Sequence, residues 1–254
     1  MAWMGKLFGG TLGFMFGGPL GMIAGIAFGH MFDKAGSLGT GQAGTYHASQ
    51  DQSQMMFFVG AFSMIARIAS VDGSVSAMER QKVQEFIRTD LRLGVREEEA
   101  AWQVFDAAIT GEGTFEQFAS QFYQNFAHAP NILQLMVDIF YRVAAADGSV
   151  TSSEEALIRR AALIFRLPAS FVDALSRNYG GFASAGERAY AILGLTKAAT
   201  DDEVKRAYRK MSIEFHPDTL AAKGMGEEFL THATAKFREI QGAYDSIKQE
   251  RGMR

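Results

Sequence analysis

The middle of the chain contains an internal repeat, which constrains the fold more than any other feature of the sequence. Residues 57–87 and 132–162 match each other at an offset of 75 positions. Each copy reads as an apolar helix, a tight Asp-Gly turn and a second helix, because Asp and Gly favour tight turns. The repeat therefore predicts an all-α fold. The shared residues are an arginine, the turn and a glutamate: Arg67 and Arg142, Asp72–Val75 and Asp147–Val150, Glu79 and Glu154.

Further helices are predicted around this repeat. Two lie between the copies, at about Arg96–Ala108 and Thr114–Ala127, and another starts near Pro168. Together with the repeat they define a duplicated helical bundle over residues 55–178. At about 120 residues, this domain has a normal size for a single hydrophobic core.

The repeated turn and glutamate raise the question of a metal site, because hard cations prefer carboxylate ligands. Two carboxylates per copy fall short of the six to eight oxygen atoms that calcium takes. In addition, Ser76 with Glu79 and Thr151 with Glu154 have the spacing of a capping box, which gives each glutamate a structural role. We therefore expect the domain to hold no metal ion.

Composition argues against several other functions. The 254 residues contain no cysteine, which excludes disulfides and thiol catalysis and suits a reducing compartment. The net charge of -3 does not favour a nucleic-acid partner. His128 has no acidic or hydroxyl residue at a telling spacing, and the phosphate-binding loop pattern is absent. We expect no catalytic residue and no cofactor; an enzyme hidden in the central domain is the disfavoured alternative.

The first thirty residues predict a membrane anchor. Leu7–Phe28 contains no charged residue, and about twenty apolar residues span a bilayer as a helix. We predict a tip over 1–6, a transmembrane helix over 7–29 and a flexible Gly/Ser/Gln-rich linker over 30–54. A cleaved signal peptide is the alternative, but the apolar stretch is long for one and no small-x-small cleavage site follows it.

Glycine recurs at every fourth position of this anchor. On a helix, glycines at this spacing leave a groove along one side, which lets a second helix approach closely. The stripe predicts that the anchor associates with itself to form a homodimer, and a chance run of small residues is the alternative. Its members are Gly9, Gly13, Gly17, Gly21, Gly25 and Gly29.

A Gly/Ser hinge at 179–186 precedes a second helical unit over 187–254. Two long helices are expected to form an antiparallel hairpin, with a short first helix packed across it. The first long helix begins at a capping box formed by Thr200 and Glu203. Between the long helices, a glycine-bearing loop is expected over 219–226.

The helix over Asp201–Phe215 has an apolar face and a basic face. Taken singly, a basic face is usually solvated surface, and a following His-Pro-Asp tripeptide is a helix stop, because proline cannot continue a helix. Ile213 lies among the charges, which fits a docking patch better than a purely solvated surface. The residues concerned are the basic Lys205, Arg206, Arg209 and Lys210 and the tripeptide His216, Pro217 and Asp218.

The sequence around the tripeptide resembles the J-domain signature of the DnaJ family over the stretch KRAYRKMSIEFHPD. The resemblance implies that the tripeptide and the basic face dock on a DnaK-type heat-shock ATPase and stimulate its ATP hydrolysis. The fourth short helix of the family is missing or reduced to residues 250–254. The Gly/Phe-rich segment and the zinc module of full-length DnaJ are absent too, which argues against a general substrate-holding co-chaperone.

The central domain resembles the tellurite-resistance TerB-like family in its duplicated helices and acidic turns. Anchor, middle and C-terminal unit together resemble the membrane-anchored DnaJ-like co-chaperones of Gram-negative bacteria, with GHMFDKA at 29–35 as a further likeness. The resemblance implies a stress-response protein that crosses the inner membrane once, with the J domain facing the cytoplasm; Lys6 and Lys34 alone do not decide the topology. The alternative is a TerB-like ligand- or metal-sensing membrane protein that uses its J domain only to recruit the chaperone.

Overall fold

The structure is a computed structural model that describes residues 17–27, 45–180 and 185–253. Within these ranges every regular element is helical, which confirms the all-α prediction. A π-helix at Phe86–Leu91 follows α3, and 3-10 turns lie at Ala145–Asp147 and Glu227–Phe229. The α-helices are α1 (described over 17–27), α2 (Thr45–Ala69), α3 (Ala77–Glu85), α4 (Val95–Thr110), α5 (Phe115–Phe126), α6 (Pro130–Ala144), α7 (Ser152–Ile164), α8 (Ala169–Tyr179), α9 (Ala185–Ile192), α10 (Asp201–Glu214), α11 (Pro217–Ala222) and α12 (Leu230–Arg251).

The internal repeat is present as two helix–turn–helix units, α2–α3 and α6–α7. Both turns contain a glycine with a positive φ, 123° at Gly73 and 95° at Gly148, a conformation that a residue with a Cβ adopts only at a cost. Both second helices start at the predicted capping boxes, in which a glutamate N–H donates to the hydroxyl of Ser76 or Thr151 at 3.2 Å. The duplicated pattern and its caps are therefore confirmed.

The core of the central domain forms around α2 and α6. Helix α2 packs against α4, α5 and α6, and α6 also packs against α7 and α8. Phenylalanine side chains fill much of the space between these helices, and Phe57, Phe62, Phe122 and Phe140 are fully buried. Gly60 of α2 permits the close approach of α5, because a Cβ at this position would lie 2.5 Å from the Phe122 ring.

Helix α2 begins earlier than the sequence suggested. The flexible linker was predicted over 30–54, but residues 45–54 are helical, so this part of the prediction is wrong. Between Gly44 and Gly60 the sequence has no glycine or proline to interrupt a helix, and the packed part of α2 can propagate towards its N-terminus. Residues 30–44 of the predicted linker lie outside the described residues.

Residues 17–27 of the predicted anchor are helical and pack against the central domain. Leu20 and Ile23 are fully buried, and the Leu20 N–H donates to Gln121 Oε1 at 2.7 Å. None of the helices in the described ranges is both long enough and apolar enough to cross a bilayer. The rest of the predicted span lies outside these ranges. Of the glycine stripe, Gly17, Gly21 and Gly25 lie on α1, whereas Gly9, Gly13 and Gly29 fall outside.

The C-terminal unit is an antiparallel pair of helices, α10 and α12, with α9 packed against α12. The antiparallel direction follows from three contacts with α12: as the chain runs from the start of α10 to the residue that begins the corner after it, the contacted residues of α12 run in the opposite order. This arrangement confirms the predicted hairpin. The contacts join Asp201 to Arg251, Tyr208 to Tyr244 and His216 to Phe237.

The loop between the long helices is shorter than predicted. Residues 217–222, which overlap the loop expected over 219–226, form the short helix α11. Pro217 occupies the first position of this helix, where its fixed φ is favourable and its missing N–H costs nothing. The chain turns after α11 at Gly224, whose φ is 93°.

Arg251 at the end of α12 closes the C-terminal unit. Its guanidinium donates to Tyr190 Oη and to the carbonyl oxygen of Ala199, both at 2.7 Å, and to the carbonyl oxygen of Lys197 at 2.9 Å. No further helix follows α12 in the part of the chain that the structure describes.

The C-terminal unit packs directly on the central domain. Phe229, just before α12, is fully buried, and its ring centroid lies 4.8 Å from that of Phe57 and 5.8 Å from that of Phe62. Beside this aromatic contact, Asp138 of α6 and Lys236 of α12 form a buried ion pair at 2.8 Å. Apolar and charged contacts therefore both fix the position of the C-terminal unit.

Candidate functional site

Helix α10 presents a basic face to solvent. Its other side packs on α12, where Val204 is fully buried and the Tyr208 ring stacks on Tyr244 at a centroid distance of 4.1 Å. The spacing of the basic residues puts all four on the side away from this contact. Of these residues, Arg206, Arg209 and Lys210 are exposed and Lys205 is half-buried.

The basic face keeps most of its positive charge. Within the described residues, the one carboxylate at ion-pair distance from it is that of Glu214, 4.0 Å from Lys210 Nζ. An exposed pair at this distance contributes little, because water screens both charges. In the part of the chain that the structure describes, the Arg209 side chain donates only to the Lys205 carbonyl oxygen of its own helix, at 3.3 Å. A partner with an acidic surface would therefore meet a positive surface that is largely free.

The tripeptide forms the corner between α10 and α11. His216 is the N-cap residue of α11, and its Nδ1 accepts a hydrogen bond from the Asp218 N–H at 3.3 Å. The imidazole ring rests edge-on against Phe237 of α12, with centroids 5.4 Å apart. The side chains of His216 and Asp218 remain 47% and 92% exposed, so a partner can reach both.

Ile213 connects the basic face to the tripeptide corner. It lies one turn before Pro217 and is 70% exposed, as the sequence predicted. An exposed aliphatic side chain among cationic ones gives a surface that can both bury apolar area and attract acidic groups. We define the docking face as these residues together: Lys205, Arg206, Arg209, Lys210, Ile213, His216, Pro217 and Asp218.

The geometry of the docking face is that of a contact surface. The His216 ring and the Asp218 carboxylate lie 3.7 Å apart, but both face water, and His216 Nδ1 already caps α11. A general base needs a substrate proton within hydrogen-bond reach. The surface offers recognition of a partner through charge and shape.

The acidic turn of the second repeat is occupied by a lysine, which sequence reasoning missed. Lys82 Nζ lies 3.0 Å from Asp147 Oδ2 and 3.7 Å from Glu154 Oε1, and it donates to the Ala144 carbonyl oxygen at 3.3 Å. Its ammonium stands where a bound cation would have to be. Within the described residues, no group of three or more acidic or histidine side chains could hold a metal ion. The sequence did contain a sign of this role. The residue that matches Lys82 in the second copy of the repeat is the apolar Leu157, so Lys82 departs from the shared pattern of the two copies.

A cavity of about 280 Å³ lies where the C-terminal unit meets the central domain. Its walls come from α6 and α8 on one side and from α9, α10 and α12 on the other. Apolar groups such as Phe171, Leu175 and Met211 form most of the lining, and Asn178 and Lys236 contribute polar groups. The Asn178 side-chain oxygen is buried and has no hydrogen-bond partner among the described residues.

The helical hairpin, the exposed basic face and the His-Pro-Asp corner define a J-domain protein, joined to a duplicated helical domain. Comparisons with known families agree with this class. A family model described as the DnaJ domain matches residues 188–252, and one described as the tellurite resistance protein TerB matches residues 59–176. A third, described as the co-chaperone DjlA transmembrane domain, matches residues 1–49.

Relatives that match this chain over nearly their whole length identify the particular family. The chain is 32% identical to the co-chaperone protein DjlA of Photobacterium profundum over 278 residues, which cover 98% of this chain and 99% of that protein. It is 33% identical to DjlA of Vibrio cholerae, with the same coverage, and 31% identical to DjlA of Shewanella oneidensis over the whole of both chains. No solved structure matches the chain. The chain belongs to the DjlA co-chaperone family.

Proposed function

We propose that this chain is a single-pass inner-membrane co-chaperone whose J domain faces the cytoplasm and stimulates ATP hydrolysis by a DnaK-type ATPase. The observation that carries the proposal is the exposed docking face, in which solvent-facing basic residues adjoin His216 and Asp218 at an open corner. Membership of the DjlA family supports the chaperone partner, and the match to its transmembrane domain supports the membrane location.

In the proposed mechanism, this chain shifts the ATPase from one state to another and carries out no chemical step itself. The basic face attracts an acidic surface of the ATPase and orients the encounter. The tripeptide then contacts the ATPase and stabilises its hydrolysing state relative to the resting state. Because a partner shifts an equilibrium only through differential binding, the tripeptide must contact the two states differently. This mechanism requires no catalytic group, cofactor or metal from the chain.

Replacement of His216 tests this function. We expect His216→Gln to abolish the stimulation of ATP hydrolysis in a single-turnover assay, because the imidazole is both the exposed contact and the cap of α11. The matched control is His128→Gln, since His128 is also exposed but lies between α5 and α6, away from the docking face. Circular dichroism should show an unchanged helix content in both variants. Undiminished stimulation by His216→Gln would disprove the mechanism.

We also propose that the glycine stripe makes the membrane-anchored chain a homodimer, presenting two J domains together. A Cβ on Gly17 would meet no other atom of the described residues within 4 Å, so the described part of the chain leaves space at the start of a larger side chain. We expect Gly17→Leu with Gly21→Leu to lower self-association in a membrane-helix association assay without release from membranes. Met22→Leu, off the stripe, is the control, and an unchanged dimer in the double variant would refute the role of the stripe.

The interdomain cavity favours a second candidate function, that of a ligand sensor which recruits the chaperone through its J domain. The metal form of this idea loses support because Lys82 occupies the acidic turn. Calorimetric titration of the full chain with Ca²⁺ and Mg²⁺ tests the metal form of the sensor. No heat of binding is expected for the co-chaperone, whereas saturable binding would favour the sensor.

A further inference from the structure

The tripeptide corner is held from outside the J domain by one residue of the central domain. Asn131 is the second residue of α6 and is 3% exposed. Its side-chain Nδ2 donates to the Glu214 carbonyl oxygen at the end of α10. Its Oδ1 accepts from Lys223 Nζ at 3.0 Å, and Lys223 caps the end of α11. The two partners therefore flank His216-Pro217-Asp218 in the sequence.

Both hydrogen bonds involve residues at helix ends: one is made to the backbone carbonyl that ends α10, and the other to the side chain of the residue that caps α11. The last carbonyl groups of a helix have no partner within that helix, so Asn131 satisfies one that α10 itself leaves open. A buried amide needs partners for its donor and its acceptor, and Asn131 finds both in the J domain. One side chain thus links the end of α10 and the end of α11, and the corner between them has less freedom to move.

The same face of α6 holds the J domain at a second point. Asp138 lies seven residues after Asn131, two helical turns further along α6, and it pairs with the buried Lys236 at 2.8 Å. On the other side of the interface, Phe229 packs on Phe57 of α2. These contacts bring α6 up to the J domain, so the hydrogen bonds of Asn131 act on a unit whose position is already fixed.

We propose that Asn131 is a positioning residue for chaperone stimulation: it holds the tripeptide corner in the orientation that the ATPase contacts. This inference rests on the co-chaperone function proposed above. It predicts that a change at Asn131 affects the engagement of the tripeptide but not the strength of docking. The basic face of α10 is left intact by a change at Asn131, so docking strength should change little. The engagement of the tripeptide should weaken, because its corner becomes free to sample other orientations.

The test uses the full chain with a DnaK-type ATPase in single-turnover assays over a range of co-chaperone concentrations. We expect Asn131→Ala to lower the maximal stimulated rate about tenfold, the size expected from the loss of one or two hydrogen bonds. The concentration for half-maximal stimulation should stay within about twofold of wild type, because the basic face sets docking. Asn125→Ala is the control, since this asparagine is exposed and its amide donates only to Gln121 of its own helix.

Two further variants separate positioning from a loss of stability. Asn131→Asp keeps the acceptor for Lys223 and removes the donor to Glu214, and Lys223→Met removes the other hydrogen bond; each should give part of the loss. Amide hydrogen exchange of residues 215–222 should rise in Asn131→Ala and stay unchanged in Asn125→Ala. A purely structural role would lower the unfolding free energy and leave the maximal rate of the folded protein unchanged.

The experiment distinguishes a failure of the proposed function from a failure of the positioning role alone. A wild-type chain that does not stimulate the ATPase would overturn the proposed function and the role of Asn131 with it. A stimulating wild type that Asn131→Ala matches in maximal rate would overturn the positioning role alone. If Asn131→Ala does not fold, Lys223→Met carries the test, because Lys223 is only half-buried and contacts the same amide. An unchanged maximal rate in that variant would then refute the inference.

Discussion

The buried pair of Asp138 and Lys236 is the most consequential contact at the scale of single residues. Burial alone would raise the pKa of the Asp138 carboxyl, but Lys236 and His232 outweigh this and hold it well below its usual range. Burial likewise opposes the charged form of Lys236, and Asp138 and Glu239 raise its pKa above the usual range despite it. Both groups therefore stay charged in the interior, each stabilised by the other.

Removing one partner of this pair should cost far more than removing both. We expect Asp138→Leu to lower the free energy of unfolding by about 3 to 5 kcal/mol, because Lys236 is left charged and buried without its main partner. The double variant Asp138→Leu with Lys236→Met should recover much of this loss. Denaturant unfolding measures both. Asp106→Asn, which breaks the exposed pair with Arg80, is the control and should cost less than about 1 kcal/mol. Equal losses in the single and double variants would contradict the coupling.

The same pair predicts a pH dependence of stability. The pKa of Asp138 is lower in the folded chain than in the unfolded one, so the pair's contribution is fully present above about pH 4, the unfolded value. It declines as the pH falls through the folded pKa, because protonation removes the charge. Chemical unfolding followed between pH 7 and pH 2 should show a steeper loss of stability in the wild type than in the double variant. Parallel curves would refute this prediction.

At the scale of single elements, local sequence signals were the most informative. The capping boxes at Ser76, Thr151 and Thr200 were predicted because each lies within four consecutive residues, and all three are present. Helix α11 was missed because Pro217 and Gly224 both read as breakers of regular structure. Each of them instead marks one boundary of a short helix, Pro217 at its first position and Gly224 just after its end.

Replacement by alanine should have opposite effects on stability at Gly148 and at Gly242. Gly148 has a φ of 95° with open space around its Cβ position, so Gly148→Ala should cost about 1 to 2 kcal/mol through the backbone alone. Gly242 lies within α12, also in open space, and Gly242→Ala should stabilise the chain by about 1 kcal/mol. Thermal unfolding measures both shifts. A gain in stability from Gly148→Ala would show that the turn does not need its left-handed conformation.

At the scale of the whole molecule, the interface between the two domains could not be predicted from the sequence. Asp138 and Lys236 are 98 positions apart and lie on amphipathic helices, where a charged residue ordinarily faces water. Phe229 reads as a member of the core of its own hairpin. The sequence predicted each domain, because the repeat and the J-domain signature are local, but pairing of distant side chains depends on the relative position of folded surfaces.

This interface should make the two domains unfold together. We expect one denaturant transition in the wild type and two in Phe229→Ala, which removes the aromatic contact and should cost about 3 to 5 kcal/mol. Trp102 fluorescence reports the central domain, and amide exchange in α12 reports the J domain. Leu163→Ala, at an exposed position of α7, should change stability by less than about 0.5 kcal/mol. A single transition in Phe229→Ala would show that the interface is held mainly by the charged pair.

The closure of the J domain by Arg251 has a consequence for the order of events during synthesis. The hydrogen bonds of Arg251 to Tyr190, Lys197 and Ala199 cannot form until nearly all of the sequence has left the ribosome. Residues 30–251 follow the predicted anchor, and at translation rates of about 5 to 20 residues per second they take roughly ten to forty-five seconds to make. The surface formed by α10 and the tripeptide corner is therefore completed only near the end of synthesis, long after the N-terminal segment has left the ribosome.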